Sequence, residues 1–408
     1  MEMKANVVEV KRDLDLGRSH LRVFNADGEF VIDYSQYKEI AADEAVRVDI
    51  GDPYNDFVIT AAPRESIVGH RYVKGRAMSF YKSTVDQADN QALKVDQDAT
   101  YINFAYIIAR EIIDGYDTFN PTVFHVETGI CIPTAEHYSS NGDELKKNIA
   151  GRYMITFPVN NKIIAFTVKE DGITITPEGP IAMMPTILEG DQSELIESTI
   201  GVIIDCGYGS NDITLVIDGE AQGDTARSFS YGGISLRSAV ASALERNRYG
   251  SSETNVTLAI EKGYVMSGNE QKPVGKYVAE CKLRLAHKIK QSVTAVVSEN
   301  WKEMKDISYF FPVGRNFKVT TKDKNDPTFT GDLAQMLIDI WDAGIDKIEI
   351  YNGTEEFKCL NRTLAMKDGK YQKTDVDIYD VANVYGLGYV LSATSDEEDD
   401  EVEGTQED

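Results

Sequence analysis

The clearest indication of how this chain folds is the stretch Gly201-Val202-Ile203-Ile204-Asp205-Cys206-Gly207, which is followed by Leu215-Val216 and Asp218-Gly219-Glu220. It is an apolar run, an Asp-x-Gly turn, a second apolar run and a second turn. This order is typical of a β-hairpin, because Asp and Gly favour tight turns between strands. A single Asp-x-Gly carries little weight, since both residues favour turns wherever they occur.

The same order of elements occurs once more, about half the chain earlier. There it consists of Val7-Val8-Glu9-Val10, Asp15-Leu16-Gly17, Arg22-Val23 and Asp27-Gly28-Glu29. Two copies with matching flanks predict a duplicated unit whose two hairpins face each other across a cleft. Backbone N–H groups of such turns can cradle phosphates, and the two carboxylates can face a hydrated metal ion.

Length and composition place the chain in the α/β class with two domains. Its 408 residues exceed one ordinary core, and 42% of them are hydrophobic. Apolar runs with the strand period alternate with helical patterns. We expect a first domain over residues 1–190, with a small subdomain inserted at about 35–100 and a return of residues 376–394, and a second domain over residues 191–375.

The net charge of −25 argues against direct binding of nucleic acid. Nine acidic residues lie in residues 396–408, which contain no basic residue. We predict that residues 395–408 form a disordered, solvated tail. The alternative is a segment that docks a basic partner or adjusts self-association.

Neither a membrane span nor a structural metal site is indicated by the sequence. No apolar run reaches the roughly 18 residues of a spanning helix, and the N-terminus lacks a secretory signal core, so we expect a cytoplasmic protein. The four cysteines are widely spaced, without a Cys-x-x-Cys pair, which favours reduced core thiols.

Further elements follow from periodicity. Helices are predicted over residues 99–113, 143–149, 186–198, 230–245 and 333–341, one or two more over residues 275–300, and a closing helix over residues 381–389 that packs on the first domain. Strands are predicted over residues 122–126, 153–175 and 309–313.

This order of motifs resembles the actin superfamily, and within it the ParM-type bacterial actins that segregate plasmids. The resemblance rests on both Asp-x-Gly hairpins, on Thr128-Gly129-Ile130-Cys131-Ile132-Pro133, on Pro177-Glu178 and on Gly233-Ile234-Ser235-Leu236. It covers residues 5–392. It implies an actin-like fold of two duplicated ribonuclease-H-like domains, with ATP and Mg²⁺ bound in the cleft and head-to-tail polymerisation.

Residue by residue, the resemblance makes Asp15 and Asp205 the carboxylates that hold metal-bound water, and Glu178 the carboxylate that positions the attacking water. Phosphoryl transfer needs such groups because it depends on positioning and charge stabilisation. Arg22 lies where the family usually has a lysine that reaches the phosphates, and an arginine keeps the charge without the same geometry. An exposed turn residue is the alternative for Glu178.

The remaining candidates surround the nucleotide. The predicted nucleotide-binding residues are Gly17, Arg18, Ser19, Arg22, Gly207, Tyr208, Gly209, Gly232, Gly233, Ser235, Gly314, Arg315 and Asn316. Gly232 and Gly233 begin a helix, whose free N–H groups attract anions, although a plain loop-to-helix junction has the same sequence. Arg315 either stacks on the base or is a surface charge. The segment 313–316 lacks the family's extra glycines, which leaves ATP and GTP both open.

The resemblance implies a Mg-dependent ATPase that forms cytoskeletal filaments and segregates plasmid or phage DNA through a DNA-binding adaptor. Its partners are then other copies of itself and the adaptor, without direct nucleic-acid or membrane contact. Two other classes remain open. A small-molecule kinase shares the duplicated fold, and an Hsp70-like ATPase would need a substrate-binding domain that does not follow residue 392.

Overall fold

Two β-sheets with the same central strand order form the framework of the molecule. The computed structural model describes residues 6–25, 29–86, 92–116, 118, 122–189, 192–341, 344–348, 358–361, 372–373 and 377–403. In chain order, the strands of these residues are β1 (Asn6–Leu16), β2 (His20–Asn25), β3 (Glu29–Tyr34), β4 (Tyr37–Ile40), β5 (Asp56–Ala61), β6 (Arg71–Lys74), β7 (Thr122–Ile132), β8 (Gly151–Phe157), β9 (Lys162–Pro177), β10 (Ile200–Cys206), β11 (Asn211–Ile217), β12 (Glu220–Ala221), β13 (Arg227–Phe229), β14 (Tyr264–Ser267), β15 (Glu270–Pro273), β16 (Ile307–Val313), β17 (Asp346–Lys347), β18 (Lys358–Asn361) and β19 (Gln372–Lys373).

The helices alternate with these strands and cover the sheets. In chain order, they are α1 (Asp98–Gly115), α2 (Thr134–His137), α3 (Asn141–Ile149), α4 (Pro180–Glu189), α5 (Ser193–Ser198), α6 (Gly233–Arg246), α7 (Glu253–Lys262), α8 (Gly275–Glu299), α9 (Leu333–Ile340) and α10 (Ile378–Glu403). Among the described residues, no helix is long and apolar enough to cross a membrane.

The two sheets repeat one topology. The central part of the first sheet has the order β3-β2-β1-β7-β9, and the second sheet has the order β12-β11-β10-β16-β17. In each, the first two pairings are antiparallel, from the hairpins, and the next two are parallel. The duplication predicted from the two Asp-x-Gly hairpins is therefore present in the strand order and in the strand directions.

Local sequence explains both hairpins. Strand β10 is buried over residues 201–206, as expected for a central strand covered on both faces. Gly201 leaves room for the Tyr309 ring, since a Cβ there would lie 2.0 Å from the ring carbon Cζ. Asp218 and Gly219 both have positive φ, 51° and 82°, which is the geometry of a type I′ hairpin turn. The corresponding Asp27-Gly28 turn lies outside the described residues.

The residues inserted after the first hairpin extend the first sheet. Strand β5 pairs with β8, β6 pairs with β5, and β4 pairs with β6. Buried charges hold this extension: the Arg71 guanidinium donates to both carboxylate oxygens of Asp56 at 2.8 and 2.7 Å. Arg110 on α1 donates to both oxygens of Asp52 at 2.9 and 2.8 Å. The inserted strands are thus continuous with the sheet that carries Asp15.

The helices differ from expectation at three places. The polar helix predicted over residues 186–198 is two helices, α4 and α5; residues 190 and 191 between them, the predicted domain boundary, lie outside the described residues. Residues 275–299 form the single helix α8. The predicted disordered tail begins at residue 395, whereas α10 continues to Glu403, and residues 404–408 lie outside the described part.

Helix α10 returns to the first sheet and packs tightly there. Val381, Val384 and Tyr385 are buried with Phe30, and Leu387 is buried with Cys131 and Ile181. Gly386 permits this approach, since a Cβ at this position would lie 2.0 Å from the backbone oxygen of Ile181 on α4.

We predict that Gly386→Ala destabilises the protein by roughly 2 kcal/mol or more, although alanine is the better helix former by about 1 kcal/mol in an unconstrained helix. The reason is that backbone atoms of α4 cannot move aside as a flexible side chain would. Gly142→Ala on α3 is the matched control, because its Cβ would meet only ordinary contacts at 3.6 Å or more. Chemical denaturation of both variants measures the difference, and an unchanged Gly386→Ala variant would contradict the packing described.

Candidate functional site

Asp15 and Asp205 occupy equivalent places at the carboxyl ends of the central strands. Asp15 pairs with Cys131 on the neighbouring parallel strand β7, and Asp205 pairs with Val313 on β16. Both aspartates are buried, with 6% and 5% of their surface exposed. Each hairpin therefore delivers one buried carboxylate to the same edge of its sheet.

The first turn is held by an internal ion pair. Arg22 lies directly opposite Asp15 in the hairpin, and its Nη1 donates to Asp15 Oδ2 at 2.8 Å. A Cβ at Gly17 would lie 2.5 Å from the His20 carbonyl oxygen, so the turn requires glycine. Ser19 Oγ lies 2.9 Å from His20 Nδ1. Arg22, which the resemblance places at the phosphates, binds Asp15 through Nη1 in this structure, because the two side chains share one face of the antiparallel pair.

Glu178 follows β9 in a turn that is fixed by backbone hydrogen bonds. Its N–H donates to the Ile132 carbonyl at 2.7 Å, and Thr134 Oγ1 donates to the Glu178 carbonyl at 2.6 Å. These bonds attach the turn to the end of β7. Glu178 is only 14% exposed in its side chain, so it is not the exposed turn residue that was the alternative interpretation.

Lys94 is a site residue that sequence reasoning missed. It lies in a short 3₁₀ turn at Lys94–Asp96, and its buried ammonium group pairs with the Glu178 carboxylate and donates to the Cys131 carbonyl at 3.0 Å. The Lys94 backbone N–H donates to Glu136 at 2.8 Å. No local motif marks Lys94, since it comes from the inserted segment and meets Glu178 only through the tertiary fold.

Asn383 on α10 connects the two halves of the site. Its Oδ1 accepts the Gly179 N–H at 2.7 Å, and its Nδ2 donates to Asp205 Oδ2 at 3.0 Å. Through this one buried amide, the turn that carries Glu178 and the carboxylate of the second hairpin have fixed relative positions. Sequence reasoning missed this residue as well.

The second turn is fixed by the start of α6 and by Asn316. The Gly233 and Ile234 N–H groups donate to the carbonyls of Gly207 and Tyr208 at 2.9 and 2.7 Å. The Asn316 amide donates to the carbonyls of Cys206 and Gly207 at 2.7 and 2.9 Å.

Several predicted nucleotide contacts are therefore used within the protein. The Gly233 N–H, which was expected to be free to bind an anion, donates to the Gly207 carbonyl of the second turn. A Cβ at Gly232 would lie 2.5 Å from the Gly207 carbonyl, so this glycine is required by close approach to the turn. Asn316 likewise positions the turn. Gly209 is buried, Ser235 is half-buried, and no described contact assigns either of them to a ligand.

Gly314 and Arg315 border the site at the end of β16. Gly314 has φ 98°, and a Cβ there would lie 2.6 Å from the Cys206 carbonyl. Arg315 pairs with Glu261 on α7 at 3.0 Å and with Asp380 on α10 at 3.1 Å. Arg315 is thus more than an isolated surface charge, because it bridges two helices. Burial together with the charges of Arg22 and Arg315 lowers the pKa of His20 to about 3, which places Arg315 near the first turn.

Asp212 adds a fourth carboxylate that the sequence analysis did not single out. It lies directly opposite Asp205 in the second hairpin and is buried. Ser210 Oγ donates to its Oδ2 at 3.0 Å, while its Oδ1 is buried without a hydrogen-bond partner. The Nε atoms of Arg18 and Arg22 are also buried without partners.

These unsatisfied atoms fit a bound nucleotide with a hydrated metal ion. Phosphate oxygens accept from guanidinium N–H groups, and metal-bound water donates to carboxylate oxygen. Among the described residues, no group of three or more His, Cys, Asp or Glu side chains could hold a metal ion directly.

Burial raises the pKa of Asp205 and of Glu178. For Asp205 the charges of Glu178 and Asp212 add to the effect of burial. For Glu178 the charges of Asp15 and Asp212 oppose the ammonium group of Lys94. Burial alone would lower the pKa of Lys94, but Glu178 and Asp15 outweigh it and raise that pKa, so Lys94 is charged at neutral pH. Asp15 and Glu178 each pair with a cation, whereas no ion pair in the described part of the chain reaches Asp205 or Asp212.

We predict that Asp205→Asn stabilises the protein without ligands, by about 1 kcal/mol or more at pH 8. The pKa of Asp205 is raised above 3.8 in the folded state, so stability is lost as the pH rises from that value. The advantage of the variant should shrink as the pH falls toward 4, where the carboxyl is neutral. Thermal unfolding between pH 4 and 8 measures this.

Asp326→Asn is the control with the opposite sign. Hydrogen bonds from Thr328 lower the pKa of Asp326, so its carboxylate stabilises the folded state above about pH 4. This variant should be less stable at neutral pH and should approach the wild type as the pH falls. Equal behaviour of the two variants would contradict the assignment of a raised pKa to Asp205.

Comparison with known proteins identifies the fold. No family model matches the chain. No curated protein sequence matches it either. Among solved structures, actin-like protein Alp7A aligns over 98% of this chain and 100% of its own, with a TM-score of 0.68 and 13% identity.

Two further solved structures show the same likeness. The archaeal actin homolog Ta0583, solved in complex with ADP, aligns over 94% of this chain and 99% of its own, with a TM-score of 0.61 and 14% identity. A subunit of a 15-stranded ParM filament from Clostridium botulinum aligns over 93% and 98%, with a TM-score of 0.59 and 16% identity. Together with the repeated sheet topology, these alignments over nearly the whole chain show that the protein has the actin-like fold that it shares with ParM and Alp7A.

Proposed function

We propose that this protein is a Mg-dependent ATPase that assembles into filaments. The observation that carries the proposal is that Asn383 joins the turn of Glu178, from the first sheet, to Asp205 of the second, and that Asp15 lies near enough to raise the pKa of both carboxyl groups. More buried carboxyl groups than pairing cations are expected at functional sites, because a buried carboxylate without sufficient counter-charge lowers the stability of the fold. The ADP complex of the archaeal homolog supports nucleotide as the ligand.

The residues present suit ATP with Mg²⁺. Asp15, Asp205 and Asp212 would hold the water shell of the metal ion, which, when bound, offsets the charge of the phosphates. Arg18 and Arg22 offer unsatisfied Nε–H donors to phosphate oxygens. Gly314 and Arg315 border the place proposed for the base, and ATP and GTP both remain candidates.

In the proposed reaction, Glu178 orients the attacking water. The pKa of Glu178 is raised toward neutral pH compared with that of an ordinary carboxyl group, and this favours acceptance of a proton from water. Lys94 keeps the carboxylate in place through their ion pair and the bond to the Cys131 carbonyl. Lys94 is therefore a positioning residue for Glu178.

Self-assembly is the second part of the proposal. The filament of Clostridium botulinum ParM supports it, since its subunit aligns with nearly the whole of this chain. A ligand that contacts both sheets favours the arrangement in which it binds best, and this can alter the surfaces offered to the next subunit. We further propose that the filaments segregate plasmid or phage DNA. A DNA-binding adaptor would make the contact with the DNA, because the net charge of −25 disfavours direct DNA contact.

We predict that Glu178→Gln slows ATP hydrolysis on the order of a hundredfold with little change in nucleotide affinity. The amide keeps the shape of the side chain but cannot take up a proton from water. Phosphate release under single-turnover conditions and calorimetric ATP binding measure the two quantities. Glu136→Gln is the matched control, because Glu136 is also buried beside Lys94 but accepts only its backbone N–H. Turnover unaffected in Glu178→Gln would remove Glu178 from the proposed mechanism.

We also predict that ATP–Mg or a non-hydrolysable analogue produces filaments at micromolar protein, and that they disassemble after hydrolysis. Light scattering and electron microscopy with ATP, GTP, ADP and no nucleotide test this. Scattering that stays flat with every nucleotide, while a small phosphate acceptor stimulates ATP consumption, would favour a kinase of the same fold.

A further inference from the structure

Trp301 is almost entirely exposed, and local structure does not explain its presence. Its side chain is 96% exposed, by far the most exposed aromatic residue in the part of the chain that the structure describes with side chains. It lies two residues beyond the end of α8. A large apolar ring in water is unfavourable unless it becomes buried in a complex.

The backbone at Trp301 is also one that favours glycine. Trp301 has φ 58° and ends α8 in a Schellman motif: its N–H donates to the Ser298 carbonyl at 3.2 Å, and the Lys302 N–H donates to the Val297 carbonyl at 3.1 Å. The chain uses Gly263, with φ 70°, at the end of α7. A tryptophan in this left-handed conformation destabilises the protein in two ways, through backbone strain and through exposure of its apolar ring.

A pocket that suits an indole lies elsewhere on the same half of the molecule. It has a volume of about 190 Å³ and lies between α6 and α7. An enclosed cavity of roughly 150 Å³ can hold benzene; this pocket is open to solvent, so the larger indole ring can enter it in part. Its lining includes Tyr208, Ile234, Arg237, Ala241, Glu253 and Val256.

The lining is mainly polar, with three apolar side chains among its residues. Ile234, Ala241 and Val256 offer apolar contact to the ring. The Arg237 guanidinium, held by Glu253 and by Thr257 Oγ1 at 2.7 Å, offers a cation to the ring face. The exposed Glu253 carboxylate offers an acceptor to the indole N–H.

Trp301 and the pocket lie at opposite ends of the second sheet. Strands β10 and β16 run parallel, with Ile200 beside Ile307 at one end and Asp205 beside Val313 at the other. Trp301 precedes β16, whereas Tyr208 follows β10. A ring at one end and a pocket at the other cannot meet within one molecule, but they can join successive copies head to tail. Such a contact is heterologous, and repeated from copy to copy it generates a filament when the rotation between copies does not close into a ring.

We propose that Trp301 of one copy inserts into the Tyr208–Arg237–Val256 pocket of the next copy and forms the head-to-tail contact of the filament. This inference rests on the proposed self-assembly and names the surfaces that perform it. Because Tyr208 belongs to the second Asp-x-Gly turn, the pocket wall is continuous with the proposed phosphate site, so bound nucleotide and the next subunit would share one structural element.

Trp301→Gly and Ser238→Phe test the two sides of this contact. Glycine suits the backbone at 301, so the monomer should be at least as stable as the wild type and should bind nucleotide normally. Ser238 is an exposed residue of α6 that lines the pocket, and a phenylalanine there would occupy it. Each variant should raise the critical concentration about thirtyfold or more, as expected for the loss of an aromatic hot spot. Ser242→Phe, exposed on α6 but outside the lining, should assemble as the wild type does.

Fluorescence reports the contact itself. The chain has two tryptophans, and Trp341 is only 5% exposed. Emission from Trp301 should shift to shorter wavelength when the wild-type protein assembles, because its indole leaves water. The signal of Trp341, measured in Trp301→Gly, provides the reference.

The outcomes separate this inference from the proposed function. If the wild type assembles with nucleotide and Trp301→Gly assembles at the same concentration, or if Trp301 emission does not shift on assembly, the contact is wrong and the ATPase filament stands. If the wild type does not assemble with any nucleotide, the proposed function fails and the contact fails with it. Loss of assembly in both pocket and ring variants, with Ser242→Phe unaffected and the emission shifted, supports the contact.

Discussion

The pair of hydrogen bonds made by Asn383 is the interaction on which the geometry of the site depends. One bond reaches the Gly179 N–H in the turn that carries Glu178, and the other reaches the carboxylate of Asp205. Apolar packing of Ile203, Tyr309 and Phe311 against α4 and α10 also joins the two halves, and the Asn383 bonds fix the polar groups at that junction. Because α10 is packed through Gly386 against the backbone of α4, the Asn383 amide has little freedom, and its position is transmitted to both carboxylates.

The second constraint is charge. Asp15, Glu178, Asp205 and Asp212 are buried together, and Lys94 and Arg22 neutralise only part of them. The duplicated hairpins differ at this point: Arg22 lies opposite Asp15, whereas Asp212 lies opposite Asp205. Opposed like charges are destabilising, so the second hairpin is the half that gains most from a cation. The two hairpins therefore present different groups to the site: a cation beside Asp15 in the first, and a second carboxyl group beside Asp205 in the second.

Much of the framework could be predicted from the sequence because the signals are local. The apolar run of β10 followed by Asp-x-Gly predicts a buried strand and its turn, and the duplication predicts that Asp15 and Asp205 are equivalent. The contacts of Lys94 and Asn383 could not be predicted, since each comes from a distant segment without a motif and acquires its role through packing. Likewise, Asn316 has the residue type of a ligand contact, but its amide satisfies two carbonyls of the second turn, a use that only the tertiary structure shows.

Coupling between the site and the molecular surface follows from the same connections. A ligand held by carboxylates of both sheets can favour one relative placement of the sheets only if it contacts them differently in each placement. The elements that join the two halves are the Asn383 amide and the packing of α4 and α10 against β10 and β16, while bonds from α6 hold Gly207 and Tyr208 within the second half. A displacement of the second turn must therefore move the start of α6 with it. Ile234 and Arg237 in the first turns of that helix line the pocket beside α7. A shift of the second turn on ligand binding would therefore change the shape of the pocket directly, through α6 alone.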